Sequence, residues 1–204
     1  MKPKFSTLII LTLLAAILLV PFVFSPYYLP NLRDRAFELH LILQGEIYKQ
    51  ITGYSSLLFV FLEMLLMARK RGRSWLIKIK LPGSLQFWRS LHIFLGIALL
   101  GTTLIHTLGS RGLNFNAIFL WVFFGVTLSA LVGAVAETGV LESSRRYFGW
   151  IPQDTKEVHK SRFLISKAAL IRNMRAWWLN THIFLVAVFC IMLVFHIFLA
   201  YYYQ

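Results

Sequence analysis

Two stretches of the chain decide its architecture when they are read side by side. The first is Trp88-Arg89-Ser90-Leu91-His92-Ile93-Phe94-Leu95, which runs on to His106. The second is Trp178-Leu179-Asn180-Thr181-His182-Ile183-Phe184-Leu185, which runs on to His196. In each, a Trp stands four residues before the first His, Ile-Phe-Leu follows it, and a second His comes fourteen residues after the first. Fourteen residues are two heptads, so a helix under-wound to about 3.5 residues per turn points both imidazoles the same way. An ideal helix would misalign them by only about 40°. The rise between them is roughly 21 Å at 1.5 Å per residue. Each stretch thus carries two histidines on one face, at two well-separated depths.

The surroundings of both stretches are apolar. Crossing about 30 Å of hydrocarbon takes roughly 20 mostly apolar helical residues, and five runs qualify: about 5–24, 51–68, 91–108, 117–136 and 181–201. The mixed stretch Leu32–Gln50 offers an earlier start to the second helix. Over the 204 residues, 58% are hydrophobic and 14% charged, which excludes a soluble globule, a disordered tail and a collagen-like fibre. The single cysteine, Cys190, excludes a disulfide framework and a Cys-rich zinc or iron–sulfur site within the chain. The expected fold is an all-α integral membrane bundle of five helices, a single transmembrane domain over 1–204. The first run follows Lys2 and Lys4, and Val23-Phe24-Ser25-Pro26 offers no small-x-small cleavage site, so it is read as a retained helix and not a signal peptide.

A formal charge of +13 would suggest nucleic acid in a soluble protein. Here it reports orientation, and no nucleic-acid partner is expected. Between the second and third runs stand Arg69, Lys70, Arg71, Arg73, Lys78, Lys80 and Arg89 with no acid among them. The segment 137–180 is also rich in Lys and Arg, whereas the stretch between the third and fourth runs holds only Arg111. The positive-inside rule puts the N-terminus and the basic loops 69–90 and 137–180 in the cytoplasm and the C-terminus outside. The expected location is multi-pass, in a bacterial inner or plasma membrane. Lys156–Arg175, mixing Phe163, Leu164 and Ile171 with Lys160, Arg162 and Lys167, reads as an interfacial helix on anionic lipid or a docking surface.

Runs three and five have one crossing between them and so run parallel. His92 can then meet His182 at the cytoplasmic level, and His106 can meet His196 at the outer level. Two facing imidazoles at each of two depths suit b-type haem, whose iron takes a histidine on each face while the porphyrin slots between helices. With both axial positions filled, the expected task is electron transfer. Gly96 and Gly101 would let a macrocycle approach the backbone. Arg89, Arg172 and Arg175 at the inner level, and Arg111 at the outer, could pair with haem propionates.

This paired spacing resembles the di-haem cytochrome b superfamily, which includes cytochrome b of the quinol:cytochrome c oxidoreductases and the ferric-reductase-like transmembrane domains. The resemblance covers about Trp88 to Phe198, with its sharp signal on the third and fifth runs. It implies His92, His106, His182 and His196 as axial ligands of two non-covalent haems b, and carries over no other residue. No sixth run and no flavin or nicotinamide motif stands within these residues. The expected partners are therefore iron–sulfur, flavin or multihaem redox subunits, with a quinone as an optional second ligand. The alternatives are a stand-alone transmembrane reductase of ferric iron or another outer acceptor, and a haem-free scaffold or transporter with proton- or metal-binding histidines. A di-zinc or copper site is disfavoured because two imidazoles per station are too few ligands. Glu63 is the one acid inside a crossing, open to snorkelling, to pairing with a cluster arginine or to passing protons. His40 reads as a surface histidine, with a quinol proton acceptor as the alternative, and His159 as solvated.

Overall fold

The helices begin and end where local chemistry dictates. Ser84 caps one of them by accepting a hydrogen bond from the Phe87 amide at 3.1 Å, and Asn114 caps the next through Ala117 at 2.9 Å. Both side chains satisfy amides that a helix start otherwise leaves orphaned. Between these two helices, Leu108 takes the left-handed conformation at φ 59°. Gly109 follows at φ 126°, where a Cβ would lie 2.5 Å from that of Ser25. The glycine turns the chain and admits the neighbouring segment.

The structure is a computed structural model and describes residues 3–71, 82–110, 112–149 and 165–202. It is all-α apart from one two-residue antiparallel bridge. In chain order the helices are α1 (Phe5–Val23), α2 (Ser25–Arg35), α3 (Phe37–Gln44), α4 (Glu46–Arg71), α5 (Leu85–Thr107), α6 (Phe115–Glu142) and α7 (Lys167–Tyr202). The bridge joins β1 (Tyr147–Phe148) to β2 (Ile165–Ser166), with Tyr147 opposite Ser166. Among the described residues four helices are long and apolar enough to cross a membrane: α1, α5, α6 and α7. The remaining expected crossing, 51–68, falls inside α4, a continuous helix of 26 residues. Leu32–Gln50 does not extend α4; it is divided among α2, α3 and the first turn of α4, with breaks at Ala36 and Gly45.

The expected loop 137–180 is shorter at both ends than its charges suggested. Helix α6 continues past 136 to Glu142, because the charge of Glu137 is neutralised within the bundle. Helix α7 starts at Lys167 and runs 36 residues without a glycine or proline to stop it. Of the expected interfacial segment the structure describes 165–175: Ile165–Ser166 form β2, and 167–175 are the first turns of α7 and not a separate helix. At 1.5 Å per residue α7 is about 54 Å long, well beyond the hydrocarbon thickness. Residues 156–164 of that segment, which include His159, lie outside the described residues, as does Arg111.

Contacts fix the relative directions. Tyr48 reaches the carbonyl of Ile105 at 2.9 Å while Glu63 meets His92, so α4 is antiparallel to α5. Gly125 faces Leu185 while Asn116 faces His196, so α6 is antiparallel to α7. Phe5 meets Gly139 and Phe22 meets Phe124, so α1 is antiparallel to α6. The bundle is built as two close pairs, α4 on α5 and α6 on α7, with α1 laid against α6 and α5. Packed between the histidine levels is a core of Val60, Leu99, Leu100, Phe123, Phe124 and Phe189. Phe119 and Phe123 bring their ring centres within 5.3 and 5.5 Å of Phe189, contacts worth about 0.5–1.5 kcal/mol each beyond area burial. Meanwhile Phe184, Ile191, Val194, Phe195 and Phe198 on α7 are exposed, as lipid-facing side chains are.

Candidate functional site

The four histidines of α5 and α7 come together in the two expected pairs. His92 and His182 have ring centres 6.4 Å apart with planes crossed at 83°. His106 and His196 have ring centres 6.3 Å apart with planes crossed at 88°. An imidazole nitrogen sits about 2 Å from a metal ion it ligates and roughly 1.1 Å from its own ring centre, so two rings coordinating from opposite sides are about 6 Å apart. Both pairs are set at that separation.

Each ring is also held by its other nitrogen, always from the neighbouring helix of its own pair. Thr52 Oγ1 on α4 lies 3.0 Å from Nδ1 of His106, and Ser129 Oγ on α6 lies 3.0 Å from Nδ1 of His182. Asn116 Oδ1 on α6 lies 3.1 Å from Nδ1 of His196. Glu63 Oε2 on α4 pairs with Nδ1 of His92. The tautomers follow from what these oxygens can do. Thr52 gives its own proton to the Tyr48 carbonyl at 2.7 Å, and Ser129 gives its proton to that of Val126 at 2.8 Å. Carboxylate and amide oxygens only accept. The Thr52, Ser129 and Asn116 oxygens are therefore acceptors, which places the proton of His106, His182 and His196 on Nδ1 and leaves their Nε2 lone pairs free, while His92 Nδ1 lies against the Glu63 carboxylate. This is the outer-shell arrangement of metal-ligating histidine.

The space between the rings has a cause in the packing. No Cα of α5 lies within 8 Å of any Cα of α7, whereas directly packed helices approach to 8–10 Å between axes. The two histidine helices face each other across a slot. At the level of His106 and His196 it opens into a cavity of about 550 Å³ lined by both rings, within the usual range for cofactor sites. Its walls include the apolar Val60, Leu99, Phe123, Phe189 and Leu193, and its rim includes Lys49, Gln50, Asn114 and Asn116. At the inner level Trp178 brings its ring centre to 6.2 Å from that of His182. Trp178 buries its indole N–H with no hydrogen-bond partner.

These residues fit a tetrapyrrole iron. Among the described residues, no group of three or more His, Cys, Asp or Glu side chains is placed to hold a metal ion by itself. A pair of opposed imidazoles suits an ion that brings its remaining ligands with it. The slot, the free Nε2 lone pairs and the apolar walls match a planar group of that kind.

The other expected site residues divide. Arg89 and Arg175 come together at the inner end, but through Glu137: Arg89 Nη2 donates to Oε2 at 3.1 Å, and Arg175 Nη2 donates to Oε1. Glu137 is 2% exposed and the arginines about half exposed, so both guanidinium groups retain free donors. Gly96 faces Glu63, whose Oε1 would lie 3.9 Å from a Cβ there. Gly101 does not line the outer cavity, and a Cβ there would meet nothing within 4 Å. The glycine that accommodates His106 is Gly53 on α4, where a Cβ would come within 3.2 Å of the ring. On α6, Gly133 admits Trp178, which a Cβ would approach to 2.5 Å.

Sequence reading missed Thr52, Ser129 and Asn116 as ring holders, Lys49 as the cation on the outer cavity, and Glu137 as a buried anion. A usable signal was their placement, since each is a polar residue inside or at the edge of an apolar run. Lys49 Nζ donates to the His106 carbonyl at 2.6 Å, and burial holds its ammonium below the usual lysine range. Comparison with known protein families, with characterised proteins and with solved structures finds no match to this chain.

Proposed function

We propose that the protein is a membrane di-haem b-type cytochrome that transfers electrons across the bilayer as the membrane subunit of a quinone-linked redox complex. The observation that carries this reading is the double coincidence at both levels: ring centres 6.4 and 6.3 Å apart, with Nδ1 of His106, His182 and His196 facing an acceptor oxygen and that of His92 against the Glu63 carboxylate. A bound haem with both axial positions filled supplies one-electron exchange without an open site for substrate.

The chain's own residues do the rest. His92 and His182 hold the inner iron, and His106 and His196 the outer. Arg89, Arg175 and the Trp178 indole at one end, and Lys49 at the other, bind the acidic groups at the edge of each macrocycle. Phe123, Phe189 and their neighbours exclude water between the levels. In this reading α4 supplies the fifth crossing, the N-terminus and the Arg89 end lie in the cytoplasm, and the Lys49 end lies outside. Redox subunits carrying iron–sulfur, flavin or multihaem centres deliver or collect the electrons.

The test is a dithionite-minus-oxidised absorption spectrum of the purified protein after haem-replete expression, with non-covalent haem counted per chain. The expected result is two haems with a low-spin b-type spectrum. A colourless protein would overturn the reading in favour of proton- or metal-binding histidines.

A further inference from the structure

The four ring holders are not chemically alike. His106, His182 and His196 face uncharged oxygens, whereas His92 faces the carboxylate of Glu63. The same helix carries Lys49 fourteen residues before Glu63, and its ammonium sits on the main-chain oxygen of His106. Helix α4 thus lays an anion against one station and a cation against the other. Both are withdrawn from water: Glu63 is 13% exposed and buries Oε1 without a hydrogen-bond partner, and Lys49 is half-buried. The other charges near the stations are Arg89 and Arg175, which share the single Glu137 carboxylate and so leave one net positive charge that half-exposed guanidinium groups present to solvent, and the exposed Glu46, which accepts from Gln50 at 2.8 Å.

We propose that α4 makes the two stations electrochemically unequal, with Glu63 lowering the potential of the iron at His92 and His182, and Lys49 raising that of the iron at His106 and His196. The inference rests on the di-haem reading above. A carboxylate that accepts the Nδ1 proton of an axial imidazole makes that ligand more basic and favours the ferric state, which carries the extra positive charge. An ammonium beside the other ligand opposes the ferric state there. The low dielectric of the bundle interior strengthens both effects. Haem held by His92 and His182 and by His106 and His196 would supply a one-electron exchange, one electron leaving the first station for each one gained at the second. Glu63 and Lys49 are unchanged, and a reduced partner or quinol resupplies the electron on the inner side. The helix gives the wire a direction, from the Arg89 end toward the Lys49 end.

The experiment is a potentiometric titration of the haem-loaded full chain, followed in the α-band. Wild type should show two one-electron components, and His106→Ala, retaining only the inner haem, should show the lower one. Glu63→Gln keeps an acceptor oxygen but removes the charge. It should raise the reduced-to-oxidised ratio of the lower component about tenfold at its original midpoint, equivalent to about 59 mV for one electron, and leave the upper component in place. Glu63→Asp should leave both in place, and Lys49→Gln should move only the upper component, downward. An unmoved lower component in Glu63→Gln, or equal movement of both, overturns the proposal. If Glu63→Gln fails to hold haem, an unmoved upper component in Lys49→Gln overturns it instead. Failure of the di-haem reading is distinct, because wild type itself would then bind no haem.

Discussion

Thr52 Oγ1 lies 3.0 Å from Nδ1 of His106 while its own proton goes to the Tyr48 carbonyl, which leaves the imidazole as donor at Nδ1 and lone-pair carrier at Nε2. A hydroxyl thereby chooses the tautomer of a ring on another helix. Thr52→Val preserves the shape and removes the acceptor. Retention of the outer haem should weaken roughly 10–100-fold, as is usual when such a partner is lost. Thr52→Ser should restore it. Haem transfer to a scavenging apoprotein measures both variants.

The two stations should fail separately. His106→Ala should remove one haem of the two and leave a spectrum from the His92–His182 pair, and His92→Ala should do the reverse. Haem extraction per chain, beside the reduced-minus-oxidised spectrum, checks this. Loss of both haems, or of neither, contradicts the pairing.

Ring planes crossed at 83° and 88° have a magnetic consequence. Parallel axial imidazoles separate the two iron orbitals that interact with their π systems, whereas crossed ones leave them nearly degenerate. Both ferric haems should therefore give the broad, large-gmax low-spin electron paramagnetic resonance signal in place of the well-resolved rhombic one. A rhombic spectrum would mean that the rings turn on binding.

The inner-end triad makes an asymmetric prediction about stability. Removing Glu137 leaves two half-exposed arginines that can rehydrate, and Glu137→Gln should cost about 1–3 kcal/mol. Removing both arginines strands a carboxylate that is 2% exposed. The Arg89→Ala, Arg175→Ala double variant should cost about 3–5 kcal/mol. Thermal unfolding in detergent orders the two, and the double variant should melt lower.

Two glycines should answer oppositely to a methyl group. Gly53→Ala places a Cβ 3.2 Å from the His106 ring and should displace it, lowering outer haem occupancy. Gly101→Ala meets nothing within 4 Å and should be neutral or stabilising by up to about 1 kcal/mol from helix propensity alone. Haem occupancy and melting temperature of the two variants test the pair.

The histidine constellation was legible because fourteen-residue spacing converts directly into face and depth on a helix. The all-α fold, with helices long and apolar enough to cross a membrane, followed from run length and apolarity. Their support was harder to read. Thr52 and Ser129 look like ordinary hydroxyls bonding back to their own helices, as both in fact do. Their second role depends on the opposite direction of α4 to α5 and of α6 to α7, and on a register that no single helix encodes. Glycine was misleading for a related reason. Gly101 sits nine residues after His92, about half a turn out of phase with the histidine face, whereas Gly53 matters from a different helix. Glu137 read as a loop charge because a lone acid at the edge of an apolar run marks an end unless its counter-charges are known.

Glu137 also bears on how the molecule is made. Its carboxylate sits in α6, and its two partners sit in helices synthesised on either side of it, Arg89 before and Arg175 after. When α6 leaves the ribosome only one of those guanidinium groups exists, and a half-compensated acid is costly to commit to lipid. The second arrives with α7, whose first turns carry Arg175 just ahead of His182 and His196. Full neutralisation of the Glu137 carboxylate therefore waits on α7, the same helix that completes both histidine pairs.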